Sequence, residues 1–299
     1  MARTFPPDVV ILDTDGLLHA RLGRGKSSPR IISAKTYRLA AGTFTPAVVT
    51  PELTNEASLT EGLKRLRAET GRWDKLSLLL PDSWFRINIV DLPQFSDRNN
   101  GNAMEVVRWS LKRTLPIGPE LLRVTYDVLS RDGQKAKVLV LSAVDKTLAA
   151  IERAFAAIGV EVVLVEPVGL NIWNAMAVRE AETTNHRLFV YLRDSDFTTA
   201  VFRGAQPVFI RSRNLSPERT LVQELRLSAT YLRDTMNGNG IATTYLAGNR
   251  IDDDVRSVLS SEFNAPVKVI ALQDVAEEIP SSAAGLEAEL TACTGVFTG

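Results

Sequence analysis

Cysteine is almost missing from this chain of 299 residues, Cys293 being its single thiol. That excludes an internal disulfide and any zinc site assembled from several thiolates. It also suits a reducing compartment. Histidine is nearly as scarce, with His19 and His186 alone. Neither stands in a local motif with a Ser or Cys nucleophile, so both are read as structural or surface side chains rather than a catalytic pair. Charge of one sign is not in excess, because 35 Lys and Arg balance 35 Asp and Glu. No global field therefore draws the chain to nucleic acid or to an anionic membrane. No apolar run approaches the roughly eighteen residues of a spanning helix, and the opening Met-Ala-Arg-Thr-Phe-Pro-Pro-Asp lacks the apolar stretch of a secretion signal. The expectation is a soluble cytoplasmic protein, linked to any membrane through a partner or a segment outside this chain.

What is present is core material, with hydrophobic residues at 45%, enough for one or two ordinary domains. The first elements read as strands, Val9–Leu12, Gly16–Leu22 and Arg30–Leu39, followed by a helix from Glu56 to Thr70 with Leu59, Leu63 and Leu66 on one face and Gly71 as its stop. Lys75–Leu80 and Arg86–Leu92 are further strands about a turn at Pro81-Asp82. A helix then carries Val106, Val107, Leu111 and Leu115 at the helical period until Pro116. Asp132-Gly133 marks a hairpin between Val124–Ser130 and Lys137–Ser142. Asp145 is placed to cap a helix ending at Gly159, and the apolar Val160–Val165 reads as a buried strand. In the last third, strands Arg187–Leu192, Thr198–Phe202 and Pro207–Arg213 lead to a helix capped by Ser216-Pro217, broken at Asn237–Gly240. A strand ending in Tyr245-Leu246-Ala247-Gly248 precedes a helix opened by Asp252, Asp253 and Asp254. Strands before helices at both ends indicate a two-lobed α/β architecture.

This order of pieces, with several local strings, resembles the PilM family of type IV pilus assembly proteins and the cytoplasmic GspL subunits of type II secretion. The strings are Leu80-Pro81-Asp82 before a strand ending Leu92-Pro93, Val106-Val107-Arg108-Trp109 leading to Leu115-Pro116-Ile117, Tyr126–Leu129, and Ala157–Val160 followed by Val165–Leu170. The resemblance implies an actin-like, ribonuclease H-like fold. Its first lobe would comprise 1–72 and 166–185, an inserted small α+β domain 73–165, and a reduced second lobe 186–299.

The family's nucleotide site, as the resemblance implies it, joins two Gly-containing hairpins whose acids face metal and phosphates to a Gly-rich turn against the adenosine. Asp13, Gly16 and Gly248 match that pattern, but Asp15 stands where the family has glycine. In the second hairpin Tyr191 is aligned with the acid and Arg193 with the glycine, while Asn249 follows Gly248 in place of more glycine. Residues 216–240 hold one helix where the family folds the far wall of the cleft. The expectation is a degenerate site without catalytic residues, ATP hydrolysis or a required cofactor, ATP and magnesium being retained only under the rival reading of an active phosphotransferase. A nucleotide-free homopolymer is a third reading.

Other motifs are read as bland. Ala20–Ser27 satisfies the relaxed phosphate-loop pattern, but Ser28-Pro29 and strand-like Arg30-Ile31-Ile32 follow where a helix is required, so it is a basic hairpin tip. Asp194 and Asp196 have no third ligand nearby and are read as solvent-facing turn acids. Arg219, Arg226 and Arg233 recur every seven residues on one helix face, beside Arg203, Arg211 and Arg213, a solvated face with docking of an acidic partner as the sharper alternative. The resemblance implies a non-catalytic scaffold, cytoplasmic and peripheral at the inner-membrane face. It would dock the cytoplasmic tail of a pilus or secretion platform protein and work beside a separate assembly ATPase. The docking residues are not legible.

Overall fold

The computed structural model describes residues 5–47, 50–95, 100–112, 117–180, 185–215, 220–235 and 240–297. In chain order the elements are β1 (Asp8–Leu12), β2 (Gly16–Gly23), β3 (Arg30–Arg38), β4 (Phe44–Thr45), β5 (Glu52–Leu53), α1 (Glu56–Thr70), β6 (Lys75–Leu80) and β7 (Phe85–Leu92). Then follow α2 (Asn100–Leu111), β8 (Leu122–Asp132), β9 (Lys135–Val144), α3 (Asp145–Ala156), β10 (Glu161–Pro167) and α4 (Val168–Glu180). The last part holds β11 (His186–Leu192), β12 (Asp196–Arg203), β13 (Gln206–Asn214), α5 (Leu221–Thr235), β14 (Ile241–Gly248), α6 (Asp253–Phe263), β15 (Val267–Val269) and α7 (Glu287–Gly295).

Two five-stranded sheets share one topology. The first has the order β10-β6-β1-β2-β3 and the second, read from its other end, is β15-β14-β11-β12-β13. In each, an antiparallel meander is extended by parallel strands. The helices repeat too, α1, α3 and α4 interleaving with the first sheet as α5, α6 and α7 do with the second. The chain is therefore two versions of one unit.

Side-chain alternation explains why Val9–Leu12 of β1 and Leu188–Leu192 of β11 carry no charged residue. Val9 and Ile11 face a central layer made by α4 and α7, whereas Val10 and Leu12 face α1 and α3. In the second sheet Phe189 and Tyr191 face the centre, and Leu188, Val190 and Leu192 face α5 and α6. Five layers result, and Trp173 of α4 stacks on Phe202 at 3.9 Å in the middle one. α1 starts on Asn55, whose side chain accepts from the Ser58 amide, and stops at Gly71 with φ 85°.

Between β6 and α3 a separate three-stranded sheet, β7-β9-β8, carries α2 on its own core of Leu92, Val107, Leu111 and Val138. The inserted unit is narrower than residues 73–165. β6 and β10 are strands of the first sheet, parallel partners beside β1, and α3 packs on that sheet. Three local expectations are also corrected. β10 lies at a sheet edge and is only half-buried. Asp145 makes no side-chain cap; it is the first helical residue and pairs with Arg123. α5 opens with Thr220, which exchanges side-chain bonds with Gln223 as a capping box. The positions expected to do these jobs at Ser216-Pro217, Leu115-Pro116 and Asn237–Asn239 lie outside the described residues. α4, β15 and α7 have no counterpart in the sequence reading.

Candidate functional site: the cleft between two hairpins

The turns closing β1–β2 and β11–β12 are superimposable in register. Leu12 pairs with Leu17 and Leu192 with Phe197. The Asp13 amide donates to the Gly16 carbonyl and the Arg193 amide to the Asp196 carbonyl, both at 2.9 Å. Counted this way, Arg193 holds the place of Asp13, Tyr191 that of Ile11, and Asp196 that of Gly16. Tyr191 is thus not the missing acid: it is a buried central-layer residue, and burial pushes its phenol well above the ordinary range.

The two turns meet across the cleft. The Arg193 guanidinium donates to the Asp13 carboxylate and lies 3.7 Å from Asp196. It is held charged chiefly by the neighbouring Asp13, against the opposing effect of burial. Asp196 is not a solvent-facing acid, as the sequence suggested, because the inserted unit folds over it. It is 3% exposed, and its Oδ2 accepts from Ser83 at 2.9 Å. Asp194 does face solvent, where Asn249 Nδ2 donates to it. Asp15 sits at the exposed apex of its turn.

A second buried carboxylate completes the cluster. Asp82 follows the end of β6 and has no exposed surface. Its two oxygens accept from the Gly169 amide and the Thr198 hydroxyl, each at 2.7 Å. Burial nevertheless raises its pKa to about 6. Gly169 must be glycine here, since a Cβ would stand 2.3 Å from Asp82 Oδ2 and 2.9 Å from the Tyr191 ring. Asp82, Ser83 and Thr198 were missed in the sequence, although an acid at the carboxyl end of an internal parallel strand is a usable signal.

Beside these groups lies a pocket of about 320 Å³ lined by Asp13, Asp15, Tyr37, Arg38, Tyr191 and Glu289, among others. It stands at the low end of the ~300–1,000 Å³ typical of ligand sites. Gly16 and Gly248 both border the cleft's hairpin ends, but Gly248 is demanded by packing. Its φ is 125°, and a Cβ would come 1.8 Å from the Leu192 carbonyl oxygen. Among the described residues no cluster of three or more acid, His or Cys side chains is arranged to hold a metal ion.

The remaining expected residues are scattered. His19 is fully buried, stacks on Trp73 at 5.3 Å and bonds Asp8 at 2.8 Å, a structural role. Arg211 and Arg226 pair with Glu224 and Glu262, which removes two charges from the basic face. Arg219 and the Arg233 side chain fall outside the described residues.

The sequence matches no protein-family model and no curated protein. Solved structures do match. The PilM-PilN type IV pilus biogenesis complex aligns with a TM-score of 0.79 at 16% identity, covering 96% of both chains. The cytoplasmic domain of EpsL, an inner-membrane component of the type II secretion system of Vibrio cholerae, aligns at 0.54 with 13% identity over 98% of this chain and 94% of that one. A Bacteroides thetaiotaomicron protein of actin-like ATPase fold and unknown function aligns at 0.55 with 12% identity over 90% and 91%. The chain has the actin-like α/β fold.

Proposed function

We propose that this actin-fold chain is a nucleotide-independent docking scaffold of a type IV pilus-like assembly machine, receiving the cytoplasmic tail of an inner-membrane partner and standing beside a separate assembly ATPase. One observation carries the reading: Arg193 spans the cleft from the second hairpin to Asp13 of the first. Two hairpins that approach a magnesium-nucleotide need acids for the metal and bare amides for the phosphates. Here the second hairpin offers a guanidinium already satisfied by the first hairpin's acid, and its glycine place is taken by buried Asp196. The carboxylates of Asp15 and Glu289, which line the pocket, would oppose phosphate charge. The residues present therefore do not fit magnesium-ATP.

The docking role is supported by likeness of fold. The alignment with the PilM-PilN complex extends over nearly the whole of both chains, and its TM-score exceeds that with the EpsL domain. That difference favours the pilus-type over the secretion-type reading. No helix among the described residues is long and apolar enough to cross a membrane, in keeping with attachment through a partner.

Calorimetric titration with magnesium-ATP tests the first half of the reading. The natural chain is expected to give no binding heat at micromolar concentrations. Micromolar binding that Asp13→Ala abolishes would overturn it and restore a nucleotide switch. Affinity capture on the immobilised cytoplasmic tail of the co-occurring inner-membrane pilus protein tests the second half, with retention expected in the absence of nucleotide.

A further inference from the structure

The run Ala20–Ser27, which imitates a phosphate loop, spans the end of β2 and the turn that leads to β3. No helix follows it, so the dipole of a true phosphate loop is missing. The backbone nevertheless does what such a loop does. The amides of Lys26, Ser27 and Ser28 all point at one carboxylate, that of Glu277, with the Lys26 and Ser28 bonds at 2.8 and 2.9 Å and the Ser27 hydroxyl adding another at 2.8 Å. Successive amides converging on one anion form a nest. Gly25 makes the concavity possible: a Cβ there would lie 2.1 Å from the Ser28 carbonyl oxygen and 2.3 Å from Glu277 Oε2.

We propose that this turn is an oxyanion-binding site for carboxylate or phosphate and that Glu277 is its internal occupant. The chemistry is general, because converging N–H donors recognise oxygen charge and not the atom that carries it. Those bonds hold the Glu277 carboxyl down to about 2, so the occupant stays charged at any ordinary pH.

The occupant also serves as a latch. Around it the Glu277 amide donates to the Pro29 carbonyl and the Ile31 amide to the Glu278 carbonyl, while Arg30 pairs with Glu278. The segment so held leads from β15 into α7, which crosses α4 in the central layer. An external oxyanion in the turn and the Glu277 carboxylate exclude each other, so a ligand entering the turn releases one of the contacts that hold the lead-in to α7. Tethering gives Glu277 a high effective concentration, and the natural chain resists dilute competitors.

The experiment compares the natural chain with Glu277→Ala, titrating each with inorganic phosphate, and separately with acetate, against sodium chloride of equal ionic strength. The readouts are the amide resonances of Lys26, Ser27 and Ser28 and the thermal midpoint. In Glu277→Ala, phosphate or acetate is expected to move those three resonances saturably and raise the midpoint by several degrees, with chloride inert and the natural chain unresponsive. Which anion acts at the lower concentration identifies the phosphate or carboxylate source. Adding Gly25→Ala, which fills the cradle, abolishes the response. If Glu277→Ala does not fold, Glu277→Gln removes the charge with the shape kept, and the same shifts are expected. No shift in a folded Glu277 variant, or equal shifts in variant and natural chain, overturns the proposal.

Discussion

Asp82 is the residue whose chemistry departs most usefully from its ordinary behaviour. The groups facing it are Gly169 of α4, Thr198 of β12, Tyr191 of β11 and the charged pair Arg193 and Asp196. Two hydrogen bonds and Arg193 favour its charged form, yet burial outweighs them and lifts it from 3.8 to about 6. The folded state then binds a proton that the unfolded state has released. Asp82 accordingly contributes stability that is present in full below its unfolded pKa and is lost as pH rises through about 6. Glu277 acts oppositely: its contribution is present above 4.5 and is lost only as pH falls through about 2. Between these limits Asp82 contributes a falling slope together with Asp196, Glu166 and Glu289, which burial also raises, while His186, lowered by burial, opposes them. Urea unfolding from pH 4.5 to 7 is expected to show a less falling, or more rising, dependence of stability on pH in Asp82→Asn than in the natural chain, the difference between the two being the Asp82 contribution. An unchanged slope in the variant would show that Asp82 titrates normally.

At the scale of elements, the helices divide by how they are buried. α1 was legible because Leu59, Leu63 and Leu66 line one face while charged residues line the other, and because Asn55 and Gly71 mark its ends. α4 and α7 lie between the two sheets with apolar or small residues on most sides, among them Ile172, Trp173, Leu290, Ala292 and Cys293. A helix buried on several faces has no polar stripe, so its period is erased from the sequence. The crossing of these two helices rests on a small residue: a Cβ at Gly295 would approach the Asn171 carbonyl oxygen to 1.8 Å. Gly295→Ala is expected to force the helices apart and to cost about 1–3 kcal/mol, the usual range for overpacking. Equilibrium urea denaturation measures it, and a change within a few tenths of a kcal/mol would show that the crossing yields freely.

For the whole molecule, closure of the lobes depends on groups that only the fold brings together. Arg193 lies at the junction of the first hairpin, the second hairpin and, through Asp196 and Ser83, the inserted unit. Removing it leaves the partly buried carboxylate of Asp13 and the buried one of Asp196 without their cation. Breaking a fully buried pair costs about 3–5 kcal/mol, and partial exposure at this site reduces the expected loss for Arg193→Ala to about 1–3 kcal/mol. Hydrogen exchange should locate the effect, with faster exchange at the two hairpin turns and unchanged protection in α1 and α3. Loss spread evenly over both sheets would mean that Arg193 supports the fold globally instead of the cleft.

Residue order alone carried the class of the protein. The apolar strand runs, the Asp132-Gly133 turn, the stop at Gly71 and the acidic start of α6 all follow from rules that act within a few residues. The hairpin acid Asp13 was legible for the same reason, as a residue next to a strand end. Tertiary structure decided which residues meet. Arg193 reaches Asp13 across 180 positions and Glu277 reaches Ser27 across 250. The limits of the inserted unit were likewise set by β6 and β10 pairing beside β1. Such pairings depend on sheet order and on how the two lobes pack together, and local periodicity contains no record of either. The chain thus announced a two-lobed α/β protein in its sequence, while the bridged cleft and the occupied turn came into being only when the two halves packed together.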